Sequence, residues 1–291
     1  MTAVMDITET AARIASSIKA LPPLPSTAER ILTCFGDEFI DAKKVAVVVE
    51  ADPGICARLL GLSNSAYFGL AEPVNTIEEA ISRVLGVDTV RSLVLAMAVQ
   101  KSFNSKGCSA FDSERFWMQS LIAAECCKKI ALADERAEDI DRDLAYLAGL
   151  CHNLGLMALS HMEPERTNAA LARHQSEGRP DSMAGVFNDE FDTDHRVVTA
   201  ELARSWSLPE PMVAAYQYLA FPQAHCDVHL GVIVAAGVCA AENTELDEVK
   251  NDNLTPWADE LGIPADDLQR MANVGERQTE KIQSVANNMT R

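Results

Sequence analysis

The stretch Asp143–His161, DLAYLAGLCHNLGLMALSH, constrains this chain more than any other. Read as one helix, it is apolar on nearly every side, through Leu144, Leu147, Ala148, Leu150, Cys151, Leu154, Leu156, Met157, Ala158 and Leu159. A helix that is apolar all round must be enclosed by other elements. At about 19 residues it approaches bilayer-spanning length, but His152 and Asn153 interrupt its middle. Gly149 and Gly155 cost helix propensity, so their place is explained by close approach of a neighbouring helix. Burying His152 and Asn153 is unfavourable unless each gains a hydrogen-bond or metal partner. The pair therefore marks the place to look for chemistry or for its remains.

The rest of the chain supplies the enclosure. Apolar residues make up 48% of its 291 positions and aromatics only 5%, with Ala and Leu abundant, which favours helices over sheets. A net charge of −18 repels phosphate backbones and anionic lipid, so neither general nucleic-acid binding nor a membrane role is expected. The start lacks a basic region and apolar core of the signal-peptide kind, and no run of 18 apolar residues exists. The eight cysteines are scattered through apolar helical contexts without a C-x-x-C unit, so a cytoplasmic protein with buried, reduced thiols is expected.

Helix signals recur along the chain. The prolines of LPPLP, Leu21–Pro25, end a first amphipathic segment, and Ser26 or Thr27 is placed to cap the next helix. Asp41 caps DAKKVAVVVEAD, whose valine run reads as helix in this company. Asp52-Pro53 is an N-cap followed by proline at the first helical position, and Gly69 closes that segment. Thr76 and Glu79 have capping-box spacing, and Val87–Phe103 form a further apolar helix. The break Asn104–Ser109 divides the chain into an N-terminal lobe, 1–104, and a C-terminal lobe, 105–291. The second lobe holds the long helix from Phe111, the Asp143–His161 stretch, a surface helix at 163–177 and an acidic helical tail. With so much apolar surface to cover, the two lobes are expected to share an interface. The overall expectation is an all-α, two-lobed helical fold.

Several of these stretches, in order, resemble the HDOD family, the HD-related output domains of bacterial signalling proteins. They are LPPLP (21–25), ADPGICARLLGLSNSAYFG (51–69), TIEEAISRVLGVDTVRSLVLAMAV (76–99), FDSERFWMQSL (111–121), YLAGLCHNLGLMAL (146–159) and DHRVVTAELARSWSLPEPMVAAY (194–216), and LTPWADELGIPADDL (254–268) is similar to the family's ending. The resemblance implies an HDOD-like all-α fold and a role in signal transduction, through regulatory or signalling proteins or a small-molecule or nucleotide ligand. HDOD domains are in turn related to metal phosphohydrolases whose His and His-Asp ligands hold a water-activating divalent ion. Carried over to this chain, that set is depleted. The His-Asp pair falls on His152-Asn153, Gln119 stands where relatives often carry His, and a frequent double His appears as Gln217-Tyr218. His195 does match the pattern. No catalytic residue and no cofactor are expected; the alternative is a degenerate metal-dependent phosphohydrolase acting on a nucleotide or phosphoester.

For His152 two readings stand, a metal ligand or a buried imidazole bonded to Asn153, Gln119 or a backbone carbonyl, and the shortage of ligands favours the second. His195 either approaches His152 or begins a helix exposed to water. His225 and His229, at i and i+4 around Cys226 and Asp227, could chelate a soft metal or could sit together by chance at a loop–helix junction. Asn64-Ser65-Ala66-Tyr67-Phe68-Gly69 reads equally as a partner-facing loop or as turn chemistry. Trp117 and Trp206 read as core anchors.

Overall fold

In a computed structural model, the described residues are 23–34, 40–65, 68–137, 140–176, 183–224, 228–243, 254–272, 280 and 282–287. Among them there is helix and no strand, as the sequence requires. Contacts group the chain into two compact units that alternate along it: Leu24–Ser102, Ser113–Leu150 and Ala235–Arg291 form the first, while Phe103–Asp112 and Cys151–Val234 belong to the second. The break read at Asn104–Ser109 falls within the short passage 103–112.

In the first unit, α1 (Ser26–Leu32) starts directly after Pro25, which occupies the cap position at φ −59°, ψ 142°. The capping role expected of Ser26 or Thr27 is not realised. Pro25 has a fixed extended geometry and its carbonyl already accepts from the Glu29 N–H, so Ser26 falls inside the helix. α2 (Ala42–Glu50) is helix despite its valines. The Asp41 carboxylate accepts from the Lys44 N–H at 2.8 Å, and Val45, Val48 and Val49 are buried while Val47 faces out. α3 (Pro53–Ser63) is capped by Asp52 as the Asp-Pro pair predicts. It ends at Ser63, before Gly69, because the Asn64 side-chain amide both donates to and accepts from Val74, at 2.8 Å each way, and turns the chain there.

α4 (Ile77–Ala80) begins at Thr76, whose hydroxyl accepts from the Glu79 N–H at 3.1 Å. Glu79 reaches back one residue beyond Thr76, to the Asn75 N–H, which shifts the box by one position. The helix then widens into one π-turn, Ile81–Leu85, closed by a bond from the Gly86 N–H to the Ile81 carbonyl. Gly86, at φ +82°, permits the change of direction into α5 (Val87–Gln100), whose residues 90–99 are all buried. Buried Arg91 on α5 donates to the Cys34 carbonyl at 2.7 Å, to Asp88 at 2.7 Å and to Asp143 at 2.8 Å; Asp143 also meets Lys128 at 3.2 Å.

α6 (Ser113–Ala133) carries the fully buried Trp117. α7 (Arg142–Cys151) packs so closely on α6 that a Cβ on Gly149 would stand 2.8 Å from the Ala124 Cα and the Cys127 sulfur. Burial pushes the Cys126 thiol up to about 12 and Cys127 also well up, which removes both from thiolate chemistry at neutral pH. At the C-terminal end, α14 (Thr255–Leu261) and α15 (Ala265–Ala272) are held to this unit by main-chain acceptors. Lys129 donates to the Met271 carbonyl at 3.2 Å, and Arg136 donates to that of Glu260 at 2.5 Å.

The second unit contains α8 (Leu154–Met162), α9 (Pro164–Ser176), α10 (Met183–Phe191), α11 (His195–Ser205) and α12 (Glu210–Ala220). The final long helix, α13 (His229–Asn243), begins in it. Segment 103–112 lies on α8 and α9: the Asn104 N–H donates to His161 Nδ1 at 3.1 Å, and Asn168 Oδ1 accepts from both Ser109 and Ala110. Phe103 contacts the His161 and Trp206 rings, and Trp206 is buried.

The single helix read over Asp143–His161 is corrected: α7 ends at Cys151, α8 begins at Leu154, and His152-Asn153 form the turn between them. Asn153 leaves the helical region, at φ −113°, ψ 18°. Hydropathy does not distinguish one buried helix from two, since both halves of the stretch are enclosed.

A candidate site at the His152-Asn153 turn

α8 packs most extensively on α11, and the contact is made possible by Gly155. A Cβ there would lie 2.0 Å from the His195 carbonyl oxygen and 2.6 Å from the Thr199 nitrogen. The Gly155 N–H donates to Thr199 Oγ1 at 2.9 Å, and that hydroxyl donates to the His195 carbonyl at 3.0 Å. One threonine thus ties the start of α8 to the start of α11, two residues after Asn153.

His195 opens α11 and is buried at 8% exposure, so the water-exposed alternative for it is excluded. Its ring stands edge-on to Phe187 at 5.4 Å between centroids. Asp194 caps α11, accepting from the Arg196 and Val197 N–H groups at 2.7 and 3.2 Å, and it is also gripped by the Arg196 guanidinium at 2.7 Å. Half-buried His152, and His174 on α9, are both within electrostatic reach of His195. His174 is an addition that the sequence did not suggest, since α9 reads as a surface helix.

Burial is the largest influence on the His195 imidazole and drives it down. Asp194 opposes that, while Arg196, His152 and His174 add to it, and His195 is pushed down to about 4. For Asp194, burial acts upward and is outweighed by the Arg196 hydrogen bond and by His195 and Arg196 charge, leaving its carboxyl below the usual value. His195 is therefore neutral at physiological pH. As pH falls from the unfolded value near 6.5 toward 4, the unfolded chain takes a proton that the fold refuses, and stability is lost across that window. Asp194 removes further stability as its carboxylate is protonated at still lower pH. We expect the unfolding free energy from urea titration to drop between pH 6.5 and 4, by up to about 3 kcal/mol for His195. His195→Leu should flatten this part of the profile; an unaltered slope in the variant would refute the assignment.

Three side-chain atoms in this region are buried without a hydrogen-bond partner: Asn153 Oδ1, Thr193 Oγ1 and His195 Nδ1. Gln119 is half-buried on α6 of the first unit. Tyr218, at the position of the second expected histidine, is a packing residue, because a Cβ on Gly231 would stand 2.6 Å from its Cβ. His229 is the half-buried first residue of α13, and His225 lies outside the described residues, as do Cys226 and Asp227.

The donors at the turn do not fit a divalent metal. Asn153 is neutral, the Asp194 carboxylate is committed to Arg196 and to the α11 amides, and two or three imidazoles without a carboxylate make a poor site for a hard ion. Among the described residues no group of three or more His, Cys, Asp or Glu is placed to hold a metal. Nor, among the described residues, is any helix long and apolar enough to cross a membrane.

The HDOD domain model matches residues 21–221. An uncharacterized protein of Treponema pallidum (strain Nichols) is 28% identical over 216 residues; the match takes in 72% of this chain but only 40% of that protein. The chain thus spans about two fifths of the curated relative. Among solved structures, a candidate signal transduction protein of Marinobacter aquaeolei VT8 superposes with a TM-score of 0.80 at 23% identity, over 98% of this chain and 65% of its own. A candidate phosphohydrolase of Shewanella amazonensis SB2B gives 0.72 at 22% identity, over 95% and 97%. An HDOD domain protein of Geobacter sulfurreducens gives 0.69 at 20% identity, over 97% and 99%. At these identities the structural likeness speaks for the fold.

Proposed function

We propose, for a chain that belongs to the HDOD domain family, that it is a non-catalytic signal-transduction module acting through a regulatory protein or a small ligand. The observation that carries this reading is the donor set at the His152-Asn153 turn. The place where an HD-type hydrolase needs a carboxylate holds an amide, and the nearby Asp194 is tied to Arg196. Water activation by a metal requires several ligands and an open position. A surface of this charge fits partners that are not themselves polyanions. A location in the cytoplasm is part of the same proposal.

The second reading is a degenerate metal-dependent phosphohydrolase acting on a nucleotide or phosphoester. The neighbourhood of His152, His174 and His195 favours it, because three imidazoles in one region could still recruit a softer ion. Elemental analysis of the purified protein, with phosphodiesterase assays in added Mn²⁺, Fe²⁺ and Zn²⁺, separates the two. We expect neither stoichiometric metal nor turnover. Metal bound through His152, lost in His152→Ala and accompanied by hydrolysis, would overturn the first reading. Asn153→Asp alone should leave the protein inactive, because one added carboxylate does not complete a ligand set.

A further inference from the structure

We propose that an ordered water molecule is built into the His152-Asn153 turn, where it bridges Asn153 Oδ1 and His195 Nδ1 with Thr193 Oγ1 as a third partner. This rests on the non-catalytic reading above, since it puts water where a hydrolase would need its metal.

All three atoms are buried and none has a protein partner. Asn153 and His195 are each 8% exposed and Thr193 is 7% exposed. Asn153 and His195 flank the crossing of α8 on α11. Asn153 stands two residues before Gly155, whose Cβ position is 2.0 Å from the His195 carbonyl, and Thr193 stands two residues before His195. A buried polar atom left unsatisfied is costly, and buried waters in folded proteins commonly make two to four bonds to such atoms.

The chemistry of the partners selects water over the alternatives. Asn153 Oδ1 only accepts, so the occupant must donate at least one proton. The neutral imidazole either accepts from the occupant or donates to it, according to its tautomer, and the hydroxyl does the same. Water meets both demands. An anion offers no proton to Asn153 and would face the Asp194 carboxylate that caps α11. A divalent cation lacks a carboxylate ligand here. The water would extend the Gly155–Thr199–His195 tie across the second side of the same crossing.

The test is a high-resolution crystal structure of the full chain, grown without chelator and repeated after a Mn²⁺ soak. The expected result is one spherical peak, at about 2.7–3.2 Å from Asn153 Oδ1 and His195 Nδ1, with no anomalous signal after the soak. Absence of density between these two atoms would overturn the water while leaving the non-catalytic reading in place. An anomalous Mn²⁺ peak would overturn both. As a second arm, Asn153→Leu should lose the peak while α8 and α11 keep their positions; an unchanged peak in that variant would refute the bridge.

Discussion

Gly155→Val is expected to prevent folding to a soluble protein, and Gly155→Ala to cost more than about 3 kcal/mol, at or above the upper end of typical overpacking penalties. The reason is what the added carbon meets. It would stand 2.0 Å from the His195 carbonyl oxygen, 2.6 Å from the Thr199 nitrogen and 2.8 Å from the Thr199 hydroxyl. Two of these are backbone atoms inside α11, and the third is bonded to the Gly155 N–H itself. No rotamer change relieves the contact, so α8 and α11 would have to separate along their whole packed length. Urea unfolding of the alanine variant provides the measurement. A change below about 1 kcal/mol would show that the crossing is looser than the geometry demands.

Arg91→Ala is expected to destabilise by about 4 kcal/mol, in the range found when one partner of a buried ion pair is removed. Arg91 is 4% exposed and joins three places in the first unit: the chain just after α1, its own helix through Asp88, and Asp143, which also meets Lys128. Truncation leaves Asp143 facing Lys128 alone and opens a cavity under α5. Arg204→Ala serves as the contrast, because Arg204 is an exposed residue paired with Glu201 within one turn of helix. Its loss should change stability by no more than about 0.5 kcal/mol. Comparable losses in the two variants would mean that burial does not govern the strength of these pairs.

The sequence carried the helical class, and at several points it carried the mechanism. Asp41, Asp52 and Thr76 cap helices where their spacing places them, and Gly149 and Gly155 sit where helices approach. It did not show that the helix through His152-Asn153 is broken. Periodicity reports which residues are buried, and every residue from Leu154 to Ser160 is, whether or not the hydrogen-bond ladder runs through the turn. Pro25 displaced the expected serine cap because a fixed φ needs no side-chain partner to start a helix. The candidate site was half visible. His152, Asn153 and His195 stand out in the sequence pattern, but Thr199 and His174 come to the site only through tertiary packing of helices that look unremarkable one at a time. The sequence leaves His195 open between water and interior, because a helix-initial histidine is common in both. The Phe187 ring and the Gly155 contact decide it.

The alternation of the two units along the chain has a consequence for how such a protein can change over generations. The second unit takes Phe103–Asp112 and then Cys151–Val234, and the first resumes after each of these passages. A single crossover in the coding sequence, at any position between them, divides both units at once. Shuffling that appends whole modules to either end leaves this interleaved block intact, while shuffling that cuts between those two passages yields no complete half. The pair is therefore expected to be inherited as one piece, and diversity to accumulate in what is joined to its ends.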